Sequence, residues 1–260
     1  MEVGNLIKLL STVCLLGSCS SSSQYLAVNS SPTAPIVYKH ETEAVLDLRK
    51  LVAEAEVEEA WCYVPEETSW HDVGLEVAVS NGRATVDYDL EKIEKLAVEH
   101  KTLDFYHLHP QPMMMNLIAP YLRDPSLSRH YSKQRIKEIF TADGALPSPD
   151  DLGSAIYLVC TYQQPHRQKQ FRFFIASHYG ITNYTPQPEL LADFCQFFGG
   201  TDLLTLATAF GKNILEEFHP EVIEKKIRGA VARGFPTSLS SDQKIPIEFI
   251  PYVLRGSVNH

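Results

Sequence analysis

The sequence predicts an α/β fold in which helices flank a mixed β-sheet. Segments with apolar residues at helical spacing alternate with short strand-like runs, as in domains where helices pack against a sheet. At 260 residues the chain is long enough for one substantial domain and leaves little room for a second. The composition, 44% hydrophobic and 21% charged, is typical of a globular protein.

The first half of the predicted domain alternates between helices and strands. Apolar side chains recur at helical spacing in residues 41–55 and again in 90–99. Ser80-Asn81-Gly82-Arg83 is typical of a hairpin turn between two alternating runs. The expected elements, in order, are a helix over 41–55, strands over 57–64, 73–79 and 84–88, a helix over 90–99 and a strand over 103–107.

The second half is predicted to add helices around the sheet. Two helical segments, 113–122 and 132–140, fall within an insertion that spans 111–146. This insertion is either a helical pair packed on the domain or a lid, since long insertions beside active sites often serve as lids. Further elements expected are a strand over 171–177, C-terminal helices over 190–198, 202–218 and 221–233, and an edge strand with two prolines over 245–254.

A His-x-His-Pro motif closes the strand that ends near residue 107. Side chains alternate across a strand, so His107 and His109 point to the same side. Pro110 cannot continue the hydrogen-bonded ladder and marks the strand's end. Two imidazoles on one side of a strand end have a suitable spacing to bind one metal ion.

A second motif, Ser148-Pro149-Asp150-Asp151, is typical of a helix start. Ser148 is expected at the N-cap, Pro149 at the first helical position and the acids in the first turn. The motif is consistent with a capped helix and nothing more. Alternatively, Asp151 supplies a third ligand beside the two histidines, since two His, one carboxylate and a water is a common arrangement for catalytic zinc.

The order of these motifs resembles the JAMM (MPN-plus, JAB1-like) metallopeptidases. In that family an upstream Glu precedes H-x-H-P, which precedes S-x-x-D. The resemblance covers roughly residues 41–184 and implies a JAB1/MPN-like fold, related to that of cytidine deaminases. The sequence departs from the family in the long stretch, 111–146, that separates the two motifs.

The resemblance also implies a catalytic glutamate on the strand after the first helix. Glu58 and Glu59 both match, and Glu59 is preferred because the small and apolar strand residues after it resemble the family's pattern. The two glutamates lie on opposite sides of a strand, so only one of them can face the motif. The family's glycine shortly after the glutamate is missing, and this chain has Cys62.

The chemistry implied is hydrolysis of a peptide or isopeptide bond. His107, His109 and Asp151 would hold Zn²⁺ with one water, whose pKa the metal lowers toward about 7. Glu59 would act as general base and Ser148 would donate a hydrogen bond to the tetrahedral oxyanion. The partner implied is a protein or peptide substrate.

The N-terminus resembles a bacterial lipoprotein signal. Residues 1–18 contain an apolar core too short to span a bilayer comfortably, and small residues precede Cys19. The sequence therefore predicts a signal peptide over 1–18, lipid on Cys19, a flexible tether over 19–37 and a domain over 38–260. The expected location is the bacterial cell envelope, lipid-anchored; a secreted or cytoplasmic protein is the alternative.

Charge and cysteine content narrow the remaining options. The net charge is −9 and no block of Lys or Arg occurs, which argues against nucleic acid or anionic lipid as the main partner. The membrane is therefore expected to be reached through the N-terminal anchor only. Besides Cys14 and Cys19 there are Cys62, Cys160 and Cys195, an odd number that offers no closed set of disulfides. Their apolar neighbours suggest small buried side chains.

Two further functions stay open on the sequence alone. One is a catalytically inactive domain of the MPN type that acts within an assembly. The other is an unrelated envelope lipoprotein that acts as a binding module and in which the His-x-His-Pro motif is incidental. Metal analysis separates the unrelated binding module from the metallopeptidase, and activity after replacement of Glu59 separates the inactive domain from it.

We predict that Cys19 is the first residue of the mature protein and carries lipid, because an apolar core and small residues precede it. The measurement is the intact mass of the protein from its native membrane. Retention of residues 1–18, or an unmodified Cys19, would show the prediction to be wrong.

Overall fold

The computed structural model describes residues 36–37, 41–55, 57–80, 83–166, 168–197, 203–216, 218–240 and 242–252. The predicted signal peptide, Cys19 and most of the tether lie outside these residues. The helices are α1 (Glu41–Glu54), α2 (Leu90–Glu99), α3 (Gln111–Ile118), α4 (Pro125–Ser128), α5 (Lys133–Asp143), α6 (Pro149–Leu158), α7 (Ala192–Phe197), α8 (Leu203–Leu215) and α9 (Pro220–Arg233).

The strands form a mixed sheet and a separate hairpin. They are β1 (Ile36–Val37), β2 (Glu59–Val64), β3 (Ser69–Asp72), β4 (Gly74–Ser80), β5 (Arg83–Tyr88), β6 (Thr102–Leu108), β7 (Gln170–Ala176), β8 (Gly180–Asn183), β9 (Thr237–Ser238) and β10 (Glu248–Pro251). The 8-stranded sheet has the order β1-β3-β2-β6-β7-β8-β10-β9, and β4 pairs with β5 alone. The α/β class with a mixed sheet flanked by helices is confirmed.

Among the strand pairs of the described residues, only β6 and β7 run parallel. A parallel pair needs a long crossover connection. Helices α3 to α6 provide it, so the predicted insertion and the helix opened by Ser148 both lie between β6 and β7. The crossover therefore starts at the His-x-His-Pro motif and passes the Ser148 motif before it re-enters the sheet.

Each face of the sheet is covered by different helices. Leu103 and Phe105 of β6 pack into the larger core together with apolar residues of α2, α6, α8 and α9. Tyr106 and Leu108 point the other way and pack with Leu48 of α1. This alternation places His107, like Phe105, on the side that α6 covers.

Close helix packing holds α6 in place. A Cβ atom on Gly153 would lie 2.9 Å from the Cα atom of Thr208 in α8, so a larger residue would push the two helices apart. The helix that carries Asp151 is thus fixed by backbone contact on the side away from the sheet.

The helical insertion is docked on the domain. Its helices share a small core of Ile118, Leu127, Ile136 and Phe140. Glu224 of α9 is buried and pairs with Arg135 of α5 at 2.8 Å. Arg228 of α9 also pairs with Glu138 of α5 at 3.1 Å. These two ion pairs and the packed core support the first of the two expected arrangements, a helical pair packed on the domain.

Several elements differ from those expected. β3 and β8 are short strands of four residues each, and neither was predicted. The last predicted strand is not an edge strand, because β10 pairs with both β8 and β9. Pro251 is tolerated there because it is the final residue of the strand.

The expectation that the cysteines form no disulfide is wrong. Cys160 and Cys195 are bonded, with a sequence separation of 35, and Cys62 is free and buried. Cys160 lies in a π-helical turn, Val159–Gln163, that continues α6 toward α7. The odd number of cysteines says only that one stays unpaired, and it does not exclude a single bond.

Within the described residues, no helix combines the length and apolar character needed to cross a membrane.

We predict that the free energy of unfolding of the double variant Cys160→Ser/Cys195→Ser is about 2–4 kcal/mol lower than that of the wild type, since the disulfide restricts the unfolded chain. Denaturant titration measures the change. Cys62→Ala, which removes the buried free thiol, is the control and should leave the bond intact in peptide mapping under non-reducing conditions. Free thiols at positions 160 and 195 in protein from an oxidising compartment would contradict the prediction.

Candidate metal centre

His107 and His109 lie side by side at the end of β6. Both side chains are buried, and their ring centroids are 5.0 Å apart. The His109 amide donates a hydrogen bond to the Ala176 carbonyl at 2.9 Å, which extends the pairing with β7 by one residue. The predicted arrangement of two imidazoles on one side of the strand end is therefore present.

A backbone carbonyl fixes the ring of His109. The His109 Nδ1 atom lies 2.8 Å from the carbonyl oxygen of Gly144, at the end of α5. A carbonyl oxygen only accepts, so Nδ1 carries the hydrogen and donates it. The lone pair of His109 is then on Nε2, the nitrogen available to a metal ion.

Asp151 fixes the ring of His107 in the same way. Its Oδ1 atom contacts Nδ1 of His107. Its Oδ2 atom accepts a hydrogen bond from the Ser148 amide at 2.7 Å, and the Asp151 amide donates to Ser148 Oγ at 3.1 Å. Ser148 is the predicted N-cap, and these two bonds form a capping box that holds the carboxylate against the imidazole. Asp151 Oδ2 also lies 3.9 Å from Nε2 of His109.

The structure places Glu58, and not Glu59, beside the histidines. In the register of β2 and β6, Glu59 pairs with Leu108 and Ala60 pairs with His107. Glu59 therefore shares the side of Leu108, where its carboxylate accepts a hydrogen bond from Trp61 Nε1 at 2.8 Å. Glu58 lies one residue earlier on the other side, with Oε2 at 3.5 Å from His107 Nε2. The choice of Glu59 as the glutamate that faces the motif is therefore wrong, because the register of β2 and β6 turns it to the other side.

Glu58, His107 and His109 form the group that suits a metal ion. Among the described residues, these three form the group whose possible ligand atoms all lie within 4.8 Å of one another. The Nε2 atom of His107 is buried without a hydrogen-bond partner. With its hydrogen on Nδ1, this nitrogen presents a lone pair to the Glu58 carboxylate, and two such acceptors repel unless a cation lies between them.

The pKa shifts reflect the same contacts. Burial alone would lower the pKa of His107, but the carboxylates of Asp151 and Glu58 raise it well above its ordinary value. Burial would raise the pKa of Asp151, but the charge and hydrogen bond of His107 lower it. The pKa of Glu58 is likewise lowered by His107 against the effect of burial. Without metal, a proton on His107 supplies the positive charge between the two carboxylates.

Two relevant residues were not found by sequence reasoning. Gly144 acts through its backbone carbonyl, which no side-chain motif reveals. Asp143 precedes it, and burial raises the pKa of its carboxyl group to about 6. No pattern in the sequence marked Asp143, which is half-buried as the last residue of α5.

No protein-family model, curated protein or solved structure matches the chain.

We predict that Asp143→Asn stabilises the protein at pH 7–8 by about 1–3 kcal/mol. The folded-state pKa of about 6 lies above the unfolded value of 3.8, so the wild type loses stability as the pH rises from 3.8 to about 6. Below about pH 3 the carboxyl is protonated in both states and the advantage of the variant should vanish. Urea titrations of both proteins across pH measure this, and an equal difference at every pH would contradict it.

Proposed function

We propose that the protein is a metal-dependent hydrolase that cleaves an amide bond, with Glu58, His107 and His109 as the metal ligands. The observation that carries the proposal is the buried Nε2 atom of His107, which has no hydrogen-bond partner and faces a carboxylate 3.5 Å away. Zinc is the metal proposed, since two His and one Glu with an open fourth position form the ligand set of known catalytic zinc sites.

The remaining residues would orient these ligands. Asp151 and the Gly144 carbonyl hold the two Nδ1 atoms, as carboxylates and carbonyls do for metal-bound histidines elsewhere. A bound zinc ion would supply a water with a pKa lowered to about 7. Ser148 already accepts from the Asp151 amide, and its own hydroxyl hydrogen stays available to donate to the oxygen of a substrate carbonyl.

The family resemblance implies a different division of roles between the two carboxylates, Asp151 and Glu58. In that division Asp151 would bind the metal with the histidines, and Glu58, taking the place expected for Glu59, would accept the proton of the water. The contacts favour the first division, because both oxygens of Asp151 are already engaged, by His107 and by the Ser148 amide. The amide as the reacting bond, and a peptide or isopeptide as the substrate, rest on the resemblance to JAMM metallopeptidases.

We also propose that the protein acts outside the cytosol, as a lipid-anchored protein of the bacterial envelope. The lipoprotein-like sequence up to Cys19 supports this location. The bond between Cys160 and Cys195 supports it independently, since disulfides persist in oxidising compartments and are rare in the cytosol.

We predict that the purified protein binds one zinc ion per chain and that zinc is lost in His109→Ala and Glu58→Gln. Each change removes a ligand of the proposed centre. Elemental analysis after dialysis against trace zinc measures the content. Glu59→Gln is the matched control, because this neighbouring side chain lies on the other side of β2 and should keep full zinc content. Full zinc in a folded His109→Ala variant would exclude the site.

Asp151→Asn distinguishes the two divisions of roles. If Asp151 orients His107, the variant keeps zinc with an affinity about 10–100-fold weaker. If Asp151 is the ligand, zinc is lost in Asp151→Asn, whereas Glu58→Gln retains zinc without activity. Asp150→Asn is the control, since this exposed residue shares the first turn of α6 and should bind zinc as the wild type does.

The hydrolase activity itself is tested with the zinc-loaded protein and a mixture of peptides and isopeptide-linked peptides. Mass spectrometry should find cleavage products with the wild type and none with His109→Ala. Zinc binding without any cleavage of either class would leave a metal-binding domain and contradict the proposed reaction.

A further inference from the structure

A short, largely buried segment joins α5 to α6 and takes part in orienting both His107 and His109. It comprises residues 144–148, all buried except the half-buried Ser148. At one end the Gly144 carbonyl accepts from Nδ1 of His109. At the other end Ser148 holds Asp151 through both partners of the capping box, and Asp151 contacts Nδ1 of His107.

The sequence makes this segment stiff. Pro147 lies within it and Pro149 follows it directly, and a proline ring restricts the backbone angle φ. Each proline also disfavours helical backbone in the residue before it, and these residues are Leu146 and Ser148. A displacement at one point of such a segment is therefore passed along it and is not absorbed by a local turn.

The middle of the segment is tied to the sheet by one side chain. Thr182 of β8 is fully buried, and its hydroxyl donates to the Ala145 carbonyl at 2.5 Å. In the sheet register Thr182 pairs with Ile175 of β7, which in turn pairs with His107 of β6. Thr182 and His107 therefore lie on the same face of the sheet, with β7 between their strands, so Thr182 sets the distance of the segment from the imidazoles.

We propose that residues 144–148 act as a positioning segment that holds His107 and His109 with hydrogen on Nδ1, and that Thr182 is the positioning residue that sets its place. The insertion thus contributes to the site through the segment that ends it. This inference rests on the proposed metal centre for its purpose, a divalent metal ion on the two Nε2 atoms, but the hydrogen on Nδ1 is present in the metal-free protein and is measured there on His109.

The test compares Thr182→Val with Thr182→Ser in metal-free protein labelled with ¹⁵N-histidine. Valine keeps the shape of threonine and removes the donor to Ala145, whereas serine keeps the donor. Imidazole ¹⁵N shifts should report hydrogen on Nδ1 of His109 in the wild type and in Thr182→Ser. In Thr182→Val they should report a mixture of the two tautomers, and the zinc affinity should fall about tenfold.

Thr185→Val is the matched control. The Thr185 hydroxyl accepts from the Phe173 amide at 2.9 Å and donates to Asn183 Oδ1 at 2.7 Å, away from the segment. Its loss lowers stability but should leave the His109 tautomer and the zinc affinity unchanged. If Thr182→Val does not fold, Pro147→Ala replaces it, since it loosens the segment and should shift the tautomer in the same direction.

The outcomes separate the two proposals. If the folded Thr182→Val or Pro147→Ala variant keeps both the wild-type tautomer and the wild-type zinc affinity, the positioning role is overturned. If the wild type binds no zinc but its His109 tautomer responds to Thr182→Val and not to Thr185→Val, the positioning role stands and the metal-dependent function fails.

Discussion

The main constraint on this site is a buried acceptor atom of His107 that faces the half-buried carboxylate of Glu58. Because Nδ1 of His107 donates its hydrogen bond to Asp151, the lone pair on Nε2 points at the Glu58 carboxylate, 3.5 Å away. In a low-dielectric interior this arrangement is unfavourable without positive charge. A proton on His107 or a metal ion can supply that charge, and a metal also uses His109. Most features of the surrounding fold can be understood as ways of keeping these groups in place.

The crossover between β6 and β7 brings the groups together. It begins at His109 and ends after α6, so the strand end, the insertion and the N-terminus of α6 all meet on one face of the sheet. The histidines come from the strand, the carboxylate that orients His107 from the helix, and Glu58 from the adjacent antiparallel strand. Close contact of Gly153 with α8 and the bond from Cys160 to α7 fix α6 from the opposite side.

Local patterns predicted the parts of the site that depend on local geometry. Strand alternation predicted the common direction of His107 and His109, and capping preferences predicted Ser148 at the N-cap, where the structure shows a complete capping box with Asp151. The helix over 90–99 was predicted with its bounds, because its apolar stripe is a local signal. In each case the information lies within a few residues.

What the sequence did not reveal depends on pairing between distant segments. The choice between Glu58 and Glu59 follows from the register of β2 against β6, and a shift of one residue would exchange them. The Gly144 carbonyl carries no side-chain signal, and the pairing of Cys160 with Cys195 needs the turn after α6. The predicted strand over 245–254 resembled an edge strand because it contains two prolines. The short strand β9, which pairs with β10, shows that it is not at the edge.

X-ray absorption spectroscopy of the zinc-loaded protein tests the central claim most directly. The claim is that zinc lies between His107, His109 and a carboxylate. The spectrum should show a four-coordinate ion with two imidazole nitrogens and the remaining ligands oxygen, all at about 2.0–2.2 Å. In His107→Ala the bound zinc, and with it this spectrum, should be lost. A sulfur ligand at about 2.3 Å, or a zinc environment that His107→Ala leaves unchanged, would contradict the claim.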